Sequence, residues 1–141
     1  MDTLREAYFE QVLEKYPDLI EAGLSLRSRQ LSFESSRFDL VFVDRSASTL
    51  LVEIKAREIL QGDIGQVARY RSHLSRKLGL QARVMLVGTH IKEDILHAVE
   101  DMGFEWRVVT EKDIRTRLED AEDNDLLAEL DGSSRSAIGH L

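Results

Sequence analysis

Three charged residues, Asp39, Glu53 and Lys55, stand inside two of the most apolar stretches of the chain, "FDLVFVD" (38–44) and "TLLVEIK" (49–55). Side chains alternate along a strand, so Glu53 and Lys55 point one way while Val52 and Ile54 point the other. Asp39 shares its face with Val41 and Val43. If the hairpin between the runs closes on an odd number of residues, for example 45–47, Asp39 lies opposite Glu53; an even loop puts them on opposite faces. Facing carboxylates raise each other's cost of ionisation and coexist most easily around a divalent cation. Oxygen ligands, with water completing an octahedral shell, suit Mg²⁺ or Mn²⁺. Lys55, about 7 Å along the same face from Glu53, could position a water nucleophile or stabilise charge on a transferring phosphoryl group. The plainer alternative is that Glu-x-Lys marks a solvated strand face. Against it, both runs are apolar on both faces, as buried strands are, and lone buried charges are costly unless paired or metal-bound.

The elements that must position these residues follow from periodicity. Leu4, Tyr8, Phe9, Val12, Leu13 and Tyr16 form an apolar arc at helical spacing, Thr3 and Glu6 fit a capping box, and Pro17 ends the helix. "LSLRSRQLSF" (24–33) alternates as a half-exposed strand, followed by the strands 38–44 and 49–55 with "RSAS" as turn. The period then changes. A helix over 62–79 carries Ile64, Val67, Ala68, Leu74 and Leu78 on one face with Gly79 at its C-cap, and "ARVMLVG" (82–88) reads as a buried strand. A helix over 91–103, a strand over 104–109 and a helix opened by a Thr110–Asp113 capping box complete the body. The order α-β-β-β-α-β-α-β, with hairpins first and crossovers after, predicts an α/β fold with a mixed central sheet flanked by helices. We expect one domain over 1–118 and an acidic helix and tail over 119–141.

Composition narrows the class. A chain of 141 residues, 43% hydrophobic, supports one domain with a real core. No apolar run approaches the ~20 residues that span a bilayer, and the polar start "MDTLREAYFEQ" does not resemble a signal peptide. Without cysteine there is no disulfide framework and no thiolate zinc site, and the histidines at 73, 90, 97 and 140 show no metal-binding spacing. These features predict a cytoplasmic protein with no membrane partner. The net charge of −7 argues against a nonspecific DNA coat, although arginines gather between 27 and 76.

The constellation resembles the PD-(D/E)XK nuclease superfamily, whose α-β-β-β-α-β core carries an Asp on the second strand and (D/E)-x-K on the third, here Asp39 and Glu53-Ile54-Lys55. More narrowly it is similar to the catalytic domain of NucS (EndoMS) endonucleases over about residues 3 to 109. "EQVLEKYPDLIEAGL" (10–24), "SRFDLVFVD" (36–44), "LVEIKAREI" (51–59) and "DIGQVARYRSHL" (63–74) each match a family stretch. Ser36 replaces the usual glycine, and Ala56-Arg57 a more basic pair.

The resemblance implies Asp39, Glu53 and the Ile54 main-chain carbonyl as metal ligands, with Glu10 completing the shell. It implies Lys55 as the catalytic lysine, and Gln66 and Tyr70, four apart on one helix face, as further site residues. From the helical wheel alone Glu10 is no better a candidate than Glu6 or Glu14. Arg37, Arg57, Arg69 and Arg71 are candidates for backbone contacts with nucleic acid. The implied activity is a metal-dependent endonuclease hydrolysing DNA phosphodiester bonds in repair, at mismatched, branched or single-stranded DNA. The family's N-terminal domain for dimerisation and DNA binding has no counterpart in this sequence. The expectation is therefore a stand-alone catalytic domain that relies on a homodimer or a partner for DNA affinity. Two rivals stand beside this one: a nuclease fold kept for DNA or protein binding with cleavage lost, and a nuclease acting on RNA.

Overall fold

The computed structural model describes residues 4–33, 36–78 and 81–138. Helix α1 (Glu6–Lys15) buries Tyr8, Phe9, Val12 and Leu13, the arc that the sequence marks. Each such side chain contributes about 2 kcal/mol through the apolar surface it removes from water. Thr3 lies outside the described residues, and the N-cap position falls on Arg5, which makes no side-chain cap. Pro17 opens a single 3₁₀ turn, Pro17–Leu19, rather than a plain loop. Its fixed φ suits the first position of such a turn.

Five strands form one sheet in the order β1-β2-β3-β4-β5. They are β1 (Ser25–Phe33), β2 (Ser36–Val43), β3 (Thr49–Ile54), β4 (Arg83–Gly88) and β5 (Glu105–Val108). The first three pair antiparallel; β3–β4 and β4–β5 pair parallel, across helices α2 (Gln61–Leu78) and α3 (Glu93–Asp101). The expected mixed sheet flanked by helices is the fold. Gly79, the expected C-cap of α2, lies outside the described residues.

The sheet separates two cores. On one side Leu40, Phe42, Leu50, Val52 and Ile54 meet α1, together with α4 (Glu111–Asp120) and α5 (Asn124–Ile138). On the other, Val41, Leu51, Val84 and Leu86 meet Ile64, Val67 and Leu74 of α2 and Val99 of α3. Helix α4 starts at the predicted capping box: Asp113 N–H donates to Thr110 Oγ1 and Thr110 N–H to Asp113 Oδ2. The acidic segment after 119 is tied into the body. Leu126 and Leu130 are buried in the α1-side core, and Tyr8 Oη donates to the Leu126 carbonyl at 2.8 Å. Asp123 accepts from Lys15 Nζ at 2.7 Å and from Tyr16 Oη at 2.5 Å. Among the described residues no helix is long and apolar enough to cross a membrane.

Candidate active site

The β2–β3 turn decides which side chains meet. Asp44 accepts the N–H groups of Ser46 and Ser48, its own N–H donates to the Ser48 carbonyl, and Ala47 takes a positive φ of 66°. The loop is thus the odd one, 45–47, and the ladder runs from Val43↔Thr49 to Leu40↔Val52. One step further, Asp39 falls opposite Glu53. Hydrogen-bonded pairs recur every second residue from Asp44–Ser48, so the next donor, Ile54 N–H, would meet the Phe38 carbonyl. It donates instead to Asp39 Oδ2, at 2.8 Å. The ladder is broken at the point where the acids face each other, and an acid has taken the place of a carbonyl.

Both carboxylates are buried, Asp39 and Glu53 each 5% exposed. That rules out the solvated strand face. Lys55 Nζ lies 3.4 Å from Glu53 Oε2, and Arg37 Nη2 lies 3.6 Å from Asp39 Oδ1. Glu53 Oε1 is buried without a hydrogen-bond partner among the described residues. Burial first, and then the charge of Asp39, push the Glu53 carboxyl up to about 8, against the pull of Lys55. A carboxylate that burial and a like charge both disfavour calls for positive charge.

Helix α1 brings Glu10 up from the far side, half-buried. Burial and then the charge of Asp39 raise its carboxyl above the usual range. Among the described residues, however, no three Asp, Glu or His side chains gather closely enough to form a metal cage by themselves. Asp39 and Glu53 with the orphaned Oε1 still suit a hard divalent cation. The rest of such a shell would have to come from main-chain carbonyl, water or substrate oxygens.

Helix α2 carries Gln66 and Tyr70. Gln66 Nε2 donates to Tyr70 Oη at 2.8 Å, and the Tyr70 ring stands edge-on to Phe38, the neighbour of Asp39, with centroids 5.6 Å apart. Among the described residues neither side chain hydrogen-bonds Asp39, Glu53 or Lys55. The four candidate arginines do not act alike. Arg37 sits over Asp39, Arg57 is engaged by Asp63, Arg71 stacks 5.3 Å from the Phe104 ring, and Arg69 is exposed.

Asp63 is the site-adjacent residue that sequence reasoning missed. At 5% exposure it is, among the described residues, one of three buried charged side chains, with Asp39 and Glu53. Arg57 Nη1 and Nη2 donate to its two oxygens at 2.8 and 2.9 Å, and Leu60 N–H donates at 2.8 Å. An acid in the first turn of a helix usually reads as a solvated dipole partner.

Residues 5–126 match the family of the endonuclease NucS C-terminal domain. Endonuclease NucS of Pyrococcus furiosus is 26% identical over 102 residues, 72% of this chain and 38% of that protein. Endonuclease NucS 2 of Halobacterium salinarum is 26% identical over 106 residues, 75% and 42% of the two. A repair endonuclease from Pyrococcus abyssi superposes with a TM-score of 0.68 at 24% identity, over 76% of this chain and 47% of that one. An EndoMS–dsDNA complex gives 0.67 at 21%, over 74% and 44%. The chain therefore spans less than half the length of the curated relatives it matches. These solved structures establish the fold, and the family match covers the sheet and both buried acids. The chain belongs to the endonuclease NucS C-terminal domain family.

Proposed function

We propose that this domain is the hydrolytic part of a DNA repair endonuclease and cuts phosphodiester bonds with a divalent ion, Mg²⁺ or Mn²⁺. The observation that carries the proposal is the buried Asp39–Glu53 pair, with one oxygen unpartnered and the Lys55 ammonium beside it. Relatives named endonuclease and repair endonuclease, and an EndoMS complex with dsDNA, support DNA as the substrate. Asp39, Glu53 and the Ile54 carbonyl would hold the ion, with Glu10 as a further oxygen donor. Such an ion polarises the scissile phosphate and lowers the pKa of bound water.

The chain's own groups do the rest. Lys55 offers N–H donors to the attacking water or to the phosphate oxygens, where charge grows in the transition state. Tyr70 Oη accepts from Gln66 and keeps its proton to donate; the second Gln66 N–H orients water. Arg37 and Arg69 meet flanking phosphates. At net charge −7 the domain does not bind DNA by charge alone, so affinity comes from a second copy or a partner. The preferred substrates are mismatched, branched or single-stranded DNA.

The test is incubation with Mg²⁺ or Mn²⁺ and mismatched, flapped, single-stranded and plain DNA, with RNA alongside. We expect metal-dependent cleavage of at least one DNA, lost in Asp39→Ala and in Lys55→Ala. Cleavage surviving unchanged in both variants overturns the site. Cleavage of RNA alone overturns the substrate.

A further inference from the structure

After Ile54 the chain does not turn away at once. Residues 55–60 run on beside the end of β4: Lys55 N–H donates to the Val87 carbonyl at 2.8 Å, Thr89 N–H to Arg57 at 2.9 Å, and Ile59 N–H to His90 at 2.9 Å. The fit against Gly88 is tight, since a Cβ there would lie 2.6 Å from Ile59 Cγ1 and 2.7 Å from the Arg57 carbonyl. The other side of this strap is held by one side chain. All the hydrogen bonds that Asp63 accepts come from Arg57 and Leu60, both in the strap. Arg57 also donates to the Glu58 carbonyl at 2.6 Å.

We propose that Asp63 is a positioning residue for Lys55: through Arg57 it clamps the strap to the start of α2, so that the ammonium stays beside Glu53. Asp63, Gln66 and Tyr70 are three and four residues apart, on one face of the helix. One carboxylate thereby registers the end of the Lys55 strand with the helix that carries the other two polar candidates. Its burial exceeds what capping needs, because a single exposed oxygen would satisfy Leu60 N–H. Burial pushes the Asp63 carboxyl up, yet the Arg57 hydrogen bonds, the Leu60 N–H and the Arg57 and Lys55 charges together hold it below its usual range. A charge that is both buried and stabilised is fixed in place, and it fixes its partners.

The proposal rests on Lys55 being the catalytic ammonium, and the test separates the two claims. Carbon-13 relaxation of the Lys55 ε-methylene is measured in the wild type, in Asp63→Asn and in the half-exposed variant Arg57→Gln, beside cleavage kinetics, Mn²⁺ affinity and thermal midpoint. We expect Lys55 order to fall in both variants, and kcat to fall about 10- to 100-fold. Mn²⁺ affinity should stay within about twofold in both variants, and KM in Asp63→Asn, because Asp63 is buried against the strap and away from the buried acid pair. Helix capping alone would lower the midpoint without moving Lys55 order or the kcat of folded protein. Unchanged Lys55 order in both variants overturns the proposal; should Asp63→Asn not fold, Arg57→Gln decides. Loss of Lys55 order in the two variants, beside a wild-type protein that itself cleaves nothing, supports the clamp and overturns the nuclease reading instead.

Discussion

Two clusters of charge sit at opposite ends of this sheet and are built on opposite principles. At the start of β4, Arg83 is surrounded by three carboxylates: Glu21 at 2.6 Å, Asp44 at 2.9 Å and Glu105 at 2.5 Å. Its guanidinium donors are used, and hydrogen bonding to Arg83 holds the Glu21 carboxyl below its ordinary range. At the end of β3, Glu53 has the Lys55 ammonium at 3.4 Å and Asp39 the Arg37 guanidinium at 3.6 Å, and Glu53 Oε1 has no donor among the described residues. The first cluster is satisfied and the second is not. Buried polar groups are normally satisfied, so the incomplete end is the candidate ligand site.

The comparison is broken most severely at the unsatisfied end. Asp39→Ala should lower kcat by about three orders of magnitude or more, since it removes both a candidate metal ligand and the acceptor of Ile54 N–H. Quenched cleavage assays with Mn²⁺ check this. Glu53→Gln should do the same to cleavage while stabilising the metal-free protein.

The sign follows from linkage. The Glu53 carboxyl is raised to about 8 when folded and lies at 4.5 in its ordinary state. Between those values the unfolded chain releases a proton that the native state keeps, so this group's contribution to stability is full below pH ~4.5 and is lost as pH rises through ~8. The urea-unfolding free energy of wild type minus that of Glu53→Gln should fall across that window by on the order of 2–4 kcal/mol, and saturating Mn²⁺ should abolish that fall. A flat difference would mean that the Glu53 carboxyl is not raised in the folded protein.

At the satisfied end the expected effects are on stability alone. Arg83→Met strands three carboxylates and should cost about 2 kcal/mol, a value below that of a fully buried pair because the side chain is partly exposed. Cleavage per folded molecule should be unchanged. Tyr8→Phe removes the donor to Leu126 and should cost about 1 kcal/mol by urea unfolding. Smallest of all, Ala47→Gly relieves a positive φ of 66° in the turn that sets the register. We expect a gain below about 1 kcal/mol.

Much of the site was legible because it depends on local rules. Strand alternation placed Glu53 and Lys55 on one face, and the turn residues after Val43 permitted the odd loop that brings Asp39 opposite. The Thr110–Asp113 box announced α4 for the same reason, a fixed offset between cap and acid. The partners of Arg83 stood 22, 39 and 62 residues away, beyond the reach of any periodicity. Asp63 was missed because an acid at the head of a helix has an ordinary explanation, and only packing shows that it is buried. The C-terminal helix was read as an appendage because acids hide the pair Leu126 and Leu130, which four-residue spacing could have matched to the α1 core.

The two cores also become available at different moments in the life of the chain. The α2-side core draws on residues 38 to 104, whereas the α1-side core runs from Leu4 to Leu130. The bond from Tyr8 to Leu126 joins residues 118 positions apart. On a ribosome α1 is therefore seated only after Leu126 and Leu130 have been made, later than the α2-side core. Glu10 rides on that helix, so its carboxylate comes to rest beside Asp39 only once α5 has emerged.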